Sequence, residues 1–362
     1  MQTRLSAAIA TLSLVLGISV ATSAYAIVAG DVNGTPPDSP AKRVDPNLPT
    51  SPFSGVVSIN VRYDGQSFIC SGTLVSTRDV VTAGHCLDTD GNGTLIDLTK
   101  AGSDVRVVFN ASPNVGDPGR AIITATHVSM SPNFQGFGNC PYATTTDFCL
   151  NDDIAVVTLE QDAPASAKIY PVFTGNVTTG QLFTMVGYGL SGDGINGYTV
   201  NPDFRIKRSG LNIMDLFDLN DETHFSAGPQ EVWYADFDGN GKDRFCDLFA
   251  ICTPILANDK EANIDSGDNG GPAFLFHGSD YLLLGNLTFV SNFGQSAPVP
   301  GAFGNYFAGM LAGAYADYLE DATGGAIQLV PGTSTVPEPP TLALMLAVLG
   351  LLAASARRRR VQ

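Results

Sequence analysis

The chain is written in short β-type runs separated by turn residues, and it offers no helix-length amphipathic stretch before Gly309 to Tyr318. The runs are Val56 to Tyr63, Ser67 to Val75, Val80 to Ala83, Val105 to Asn110, Ala121 to Val128, Ile154 to Leu159, Leu182 to Val186, Ala273 to Phe276 and Tyr281 to Val290. Runs of this length, rich in Val, Ile and Phe and bounded by Gly, Pro, Asn and Asp, predict an all-β sandwich or barrel. No internal repeat at a fixed period is present, and 362 residues suffice for one large domain or two modest ones.

Both ends read as address labels rather than fold. Residues 1–26 carry Arg4, an apolar stretch from Leu5 to Val20 and then Ala24-Tyr25-Ala26, the small-x-small pattern of a signal peptide. At the other end Val336-Pro337-Glu338-Pro339 precedes an apolar run from Leu342 to Ala356 and the basic run Arg357 to Arg360. That run is short for a bilayer span, although the arginines can snorkel, and the positive-inside rule keeps them cytoplasmic with the body outside. The tripartite ending of residues 336–362 resembles the PEP-CTERM sorting signal, which implies an exosortase partner and a membrane anchorage before processing. Between the labels, 27–52 reads as an extended lead-in, 53–320 as the folded body and 321–335 as a linker. The expected destination is the cell envelope, the periplasmic or outer surface, or the extracellular matrix.

The net charge of −16 argues against nucleic acid as a partner, and five of the basic residues sit in the two end segments. All six cysteines, Cys70, Cys86, Cys140, Cys149, Cys246 and Cys252, fall in the body, where an even count in an oxidising compartment reads as disulfides. Six cysteines permit 15 pairings, of which nearest-neighbour pairing is the simplest. No Cys-x-x-Cys or His-x-x-x-His spacing supports a zinc site.

Three stretches carry the chemistry: Thr82-Ala83-Gly84-His85-Cys86, then Asn151-Asp152-Asp153-Ile154-Ala155-Val156, then Gly267-Asp268-Asn269-Gly270-Gly271-Pro272. Nucleophilic acyl transfer needs a group that takes a proton, a group that orients it, and a backbone nest for an oxyanion. In this order the stretches resemble the chymotrypsin/trypsin family of serine peptidases. Phe68-Ile69-Cys70-Ser71-Gly72-Thr73-Leu74, Gly187-Tyr188-Gly189 and Leu284-Gly285-Asn286-Leu287-Thr288-Phe289 are similar to further family segments, so that the likeness runs over about residues 53–320. The resemblance implies two six-stranded antiparallel β-barrels with the site in the cleft between them and a Cys70–Cys86 disulfide. It implies His85 as general base, Asp153 as its orienting partner with Asp152 a solvated neighbour, and the backbone N–H groups of Gly267 and Asn269 as the oxyanion hole. Polypeptide is the implied substrate, and no cofactor is required.

One departure matters more than the agreements. Where the family has its nucleophilic serine, this chain has Asn269. A carboxamide has no ionisable proton to give His85, and resonance occupies its nitrogen lone pair. Loss of a triad nucleophile leaves only the ~10³–10⁴-fold advantage over water that the oxyanion hole and binding supply. The expectation is therefore a weak or inactive peptidase. Ser266 is the alternative nucleophile, at the cost of breaking the registration of the turn, and otherwise lines the rim of the cleft. A structural or binding protein of the matrix is the remaining alternative.

Further expectations follow from the likeness. Cleavage after Ala26 would expose Ile27-Val28-Ala29-Gly30, whose α-ammonium would pair with Asp268. The base of the substrate pocket falls on Asn263, with Thr288 and Val290 along its strand, so no carboxylate awaits an Arg or Lys side chain. Two acidic loops, Asp88-Thr89-Asp90-Gly91-Asn92-Gly93 and Asp236-Phe237-Asp238-Gly239-Asn240-Gly241, fit the first half of an EF-hand loop. The second has Asp247 at position twelve; the first has Thr99 there and Asp97 two residues earlier. Calcium is thus a possible ligand of Asp236, Asp238, Asn240 and Asp247, and of Asp88, Asp90 and Asn92.

Overall fold

The computed structural model describes residues 27–114, 116–137, 139, 150–291 and 299–332. The signal segment 1–26, Cys140, Cys149, the end of the linker and the tail 336–362 lie outside the described residues. No helix among the described residues is long and apolar enough to cross a membrane.

The first half closes into a six-stranded antiparallel barrel, β1 (Val56–Tyr63), β2 (Gln66–Leu74), β3 (Asp79–Thr82), β4 (Asp104–Asn110), β5 (Arg120–Met130) and β6 (Ala155–Leu159), in the order β1-β2-β3-β6-β5-β4. Strand alternation explains the closure: Val57, Ile59 and Val61 of β1 share one interior with Val105, Val107 and Phe109 of β4 and Ile123 of β5. Each such side chain contributes roughly 1.5–3 kcal/mol when fully withdrawn from water. The six strands fall within about two residues of the runs read from the sequence.

The second half is formed by β7 (Val172–Phe173), β8 (Gln181–Gly187), β9 (Ser191–Asp193), β10 (Gly197–Val200), β11 (Arg208–Met214), β12 (Leu216–Leu219), β13 (Gln230–Asp236), β14 (Pro272–His277), β15 (Asp280–Asn286), β16 (Phe289–Ser291), β17 (Tyr306–Met310) and β18 (Leu329–Val330). Two sheets dominate it, β11-β8-β14-β15-β7-β18 and β12-β13-β17-β16, joined by a bridge between Gly285 and Leu311. Their shared core holds Phe183, Met185, Trp233, Leu284 and Phe307, with Trp233 edge-on to Phe183 at 4.9 Å and to Phe307 at 5.8 Å. A third apolar cluster joins the halves, bringing Val56, Val81 and Ile154 against Tyr188, Phe274 and Tyr315. A closed barrel followed by a second set of sheets fits the expected trypsin-like two-barrel architecture.

Several local readings change. Gly309 to Tyr318 is not one helix: β17 runs to Met310, and helix α2 covers only Ala316–Ala322, while a shorter helix, α1, covers Arg244–Phe249. Gly309 stands opposite Trp233, and a Cβ there would lie 1.8 Å from the Asn286 carbonyl oxygen, an approach that a strand needs and a helix does not. The run Tyr281 to Val290 is split at Leu287-Thr288 into β15 and β16. Leu329–Val330, read as linker, pair in parallel with β7. The lead-in is fastened rather than loose: Arg43 is buried, donates to Asp38 through Nε and Nη2 at 2.9 and 2.5 Å, and caps the carbonyls of Lys260 and Glu261.

Candidate active site

His85 sits on a single 3₁₀ turn, Gly84–Cys86, directly after β3, and the Cys70–Cys86 disulfide ties that turn to β2. Asp153 precedes β6, the neighbour of β3, so the two residues meet at one rim of the barrel. The His85 backbone N–H donates to Asp153 Oδ1 at 2.6 Å, and His85 Nδ1 lies 2.8 Å from Oδ2. This double grip fixes the ring and puts its proton on Nδ1, leaving Nε2 as the basic atom. Asp153 is fully buried, and the Asn286 side chain donates to its carbonyl at 2.8 Å. A Cβ at Gly84 would stand 3.2 Å from Asp153 Oδ1, so the smallest residue lets the carboxylate reach the histidine. The Phe137 ring lies 4.7 Å from the imidazole and shields it.

The turn bearing Asn269 is held against the same rim. Ser71 N–H donates to the Asn269 carbonyl at 2.8 Å, and Ser71 Oγ donates to the Gly267 carbonyl at 2.7 Å. Gly267 has φ +97°, a conformation that a side chain would strain. The Asn269 carboxamide is engaged at both ends: Oδ1 accepts the Gly267 N–H at 3.2 Å, and Nδ2 donates to the Thr288 carbonyl. The N–H expected to line an oxyanion hole is thus taken by the side chain that replaces the nucleophile. Ser266 is exposed, its N–H bonded to the Asp265 carboxylate. The described contacts of the His85 side chain are Asp153, the Cys86 sulfur at 3.8 Å and Phe137, and Ser266 is not among them.

A cavity of about 170 Å³ opens beside this turn, and its wall includes Phe137, Asp265, Ser266, Asn269, Thr288 and Val290. Asn263, expected at the base of the pocket, is fully buried and does not line this cavity; its Oδ1 accepts the Ile264 N–H and its Nδ2 has no hydrogen-bond partner. Ile27 and Asp268 do come together. Ile27 is fully buried, Val28 bridges Asn263, and Ser191 Oγ donates to the Ile27 carbonyl. Burial pushes Asp268 up to about 7, opposed by the N–H groups of Gly189, Asp265 and Ile27 and assisted by the Asp265 charge. The Gly187-Tyr188-Gly189 segment makes room for that carboxylate, since a Cβ at Gly187 would lie 2.1 Å from Asp268 Oδ1.

Asp152 is a correction. It is buried rather than solvated: its N–H donates to the Tyr315 hydroxyl at 2.8 Å, and its φ is +67°. Burial, reinforced by the charges of Glu222, Asp221 and Glu231, raises it to about 8. This acidic nest on the back of the Asp153 turn was invisible in sequence because its members are some seventy residues apart.

The disulfides Cys70–Cys86 and Cys246–Cys252 are formed, and Cys140 with Cys149 lies outside the described residues. The two acidic loops differ. In the first, both oxygens of Asp88 are taken by amides of Asp90, Gly91, Gly93 and Thr94, and Asp90 accepts from Asn92 and Thr94. In the second, Asp236 and Asp238 are buried while Asn240 is exposed, and Asp247 is exposed on α1; the carboxylate that converges with the first two is Asp243.

The family model described as Trypsin matches residues 46–202, and that of the PEP-CTERM protein-sorting motif matches 335–360. "Inactive serine protease PAMR1" of Xenopus tropicalis is 28% identical over 140 residues, covering 37% of this chain and 17% of that protein. "Phenoloxidase-activating enzyme" of Bombyx mori is 23% identical over 274 residues, 70% of this chain and 55% of that protein. "Serine protease Hayan" of Drosophila melanogaster is 24% identical over 278 residues, 74% and 36% respectively. The chain therefore spans at most about half the length of these relatives. The Trypsin match thus covers the first barrel with the paired His85 and Asp153, and the PEP-CTERM sorting motif is found after the folded body.

Proposed function

We propose that the chain is an exported trypsin-like serine protease homologue that receives polypeptide in the cleft beside His85 and hydrolyses it weakly or not at all. The observation that carries this reading is the Asn269 carboxamide, bonded to the Gly267 N–H and the Thr288 carbonyl while the His85–Asp153 pair is intact. The base has no proton donor to activate, and one of the two oxyanion donors, the Gly267 N–H, is already satisfied. That one relative is named an inactive serine protease is in keeping with this, while two others are named an enzyme and a serine protease. Asp265 lines the cavity together with Thr288 and Val290, so a basic side chain of the polypeptide is not excluded from the pocket.

Export places the domain outside the inner membrane, with the tail anchored there until exosortase acts on it. Removal of residues 1–26 would leave Ile27 as the new terminus, its α-ammonium facing Asp268, so that secretion and setting of the 265–270 turn become one event. The test is a fluorophosphonate probe with casein hydrolysis as the second readout. The native protein is expected to stay unlabelled, and Asn269→Ser to gain both labelling and hydrolysis. Labelling of the native protein that is lost in Ser266→Ala would instead make it an active endopeptidase. A folded Asn269→Ser protein that stays inert and binds no peptide inhibitor would make it a matrix scaffold.

A further inference from the structure

We propose that Asp236, Asp238 and Asp243 form a calcium site on the second half of the molecule, independent of the catalytic question. Carboxylate oxygens of the three lie within 4.8 Å of one another. Amides preset two of them: Arg244 and Phe245 N–H donate to Asp236 Oδ2 at 2.6 and 2.9 Å, and Cys246 N–H donates to Asp243 Oδ1 at 2.9 Å. The decisive atom is Asp238 Oδ1, which is buried and meets no donor, on a residue only 5% exposed.

Its surroundings aggravate the deficit. Asp215 and Glu261, each 2% exposed, stand behind the loop. Asp215 accepts from the Asp236 N–H at 3.2 Å and from Thr253 Oγ1 at 2.5 Å, and Glu261 accepts from the Leu256 N–H at 3.2 Å. Such a set of withdrawn carboxylates is costly without a compensating positive charge, and an unpartnered oxygen among them marks where that charge sits. The donors are all oxygen, which selects a hard cation, and their irregular disposition suits the flexible shell of calcium better than the rigid octahedron of magnesium. A cavity of about 330 Å³ between Asp238, Gly239 and Asn240 on one side and Asp31, Gly34 and Asn258 on the other gives the ion an entrance.

The ion would also brace the amino-terminal segment. Phe237, between two of the ligands, packs on Phe303 at 4.5 Å and shares a cluster with Val28, the residue after Ile27.

The test is calcium titration by calorimetry, with thermal melts in calcium and in chelator, on the processed chain. All proteins carry Asp90→Asn so that the Asp88 loop does not contribute. The parent is expected to bind calcium and to melt higher with it. Asp238→Asn is expected to bind at least about tenfold more weakly. In chelator it should melt at or above the parent temperature, because an amide removes an uncompensated charge. Asp243→Asn, at a half-buried position, repeats the measurement should Asp238→Asn fail to fold. Calcium binding unchanged in both variants, or a parent melt indifferent to calcium, would overturn the site.

Discussion

Asn269 Oδ1 accepts the backbone N–H of Gly267 at 3.2 Å, while the other end of the same carboxamide donates to the Thr288 carbonyl. An amide group in this position presents the donor and acceptor of a peptide bond, one to the N–H of the turn and one to the carbonyl at the break between β15 and β16. The substitution thus does two things: it removes a nucleophile, and it fills two polar positions with the protein's own side chain.

Asn269→Ser should therefore restore more than a hydroxyl, because it also frees the Gly267 N–H. Casein hydrolysis is expected to rise by at least about 10³-fold over the native protein. A variant that labels with the probe but hydrolyses no faster would show that the oxyanion nest needs more than the removal of the carboxamide.

Asn269→Ala separates the two effects. It supplies no nucleophile but releases both the N–H and the carbonyl, so a peptide aldehyde or chloromethyl-free peptide inhibitor is expected to bind about tenfold more tightly than to the native protein, the worth of one recovered hydrogen bond. Equal affinities by calorimetry would mean that the Asn269 contacts do not compete with ligand.

How much of this was legible in the sequence differs between the halves. The first barrel is built from runs such as Val56–Tyr63, in which the apolar Val57, Ile59 and Val61 alternate with Ser58, Asn60 and Arg62, and pattern alone finds them. Strands β11 and β13 do not show in the pattern because they bury Arg208, Asn212, Glu231 and Asp236 within the strand; Asn212 and Glu231 are satisfied by partners distant in sequence, the Asp236 carbonyl and the Asn151 side chain. At the site, His85 and Asp153 announce themselves through flanking motifs. The engagement of the Asn269 side chain does not, since it depends on a turn meeting the break between β15 and β16, and the buried Asp152 nest depends on Tyr315, Asp221 and Glu222.

The nest gives a pH dependence with a definite sign. Asp152 is raised to about 8 and Asp221 to about 7 by burial first and by neighbouring carboxylates second, from an ordinary value of 3.8. Between those values the folded protein holds protons that the unfolded chain has released. The stabilisation is complete below about pH 4 and is lost as pH rises through 7 to 8. In chelator the melting temperature should fall by several degrees from pH 5 to pH 8.5, and Asp152→Asn should flatten part of that fall. A melting temperature that rises over this range in chelator would contradict the assignment.

The Ile27 arrangement predicts a coupling. A chain beginning at Ile27 is expected to melt about 2–5 °C above one that retains two extra residues, because only a free α-ammonium neutralises the buried Asp268. Asp268→Asn should lower the short form more than the long one, and this difference, read as a double-mutant cycle, isolates the pair. Equal melting temperatures of the two forms would remove the ion pair from the account.

Gly187 tests the packing that holds Asp268. A Cβ at this position would come within 2.1 Å of Asp268 Oδ1, and that carboxylate cannot retreat, being fully buried and bonded to the Gly189 N–H at 2.8 Å and the Asp265 N–H at 3.1 Å. Gly187→Ala should therefore cost about 2–4 kcal/mol in urea unfolding, the range of an overpacked core site that also disturbs a hydrogen-bonded charge. Gly102→Ala is the control: its φ of +87° is strained for alanine, but the space around it is open, and only about 1 kcal/mol is expected. Gly187 itself has no positive φ, so a loss there no larger than the control's would mean that the surroundings of Asp268 yield to the added methyl group.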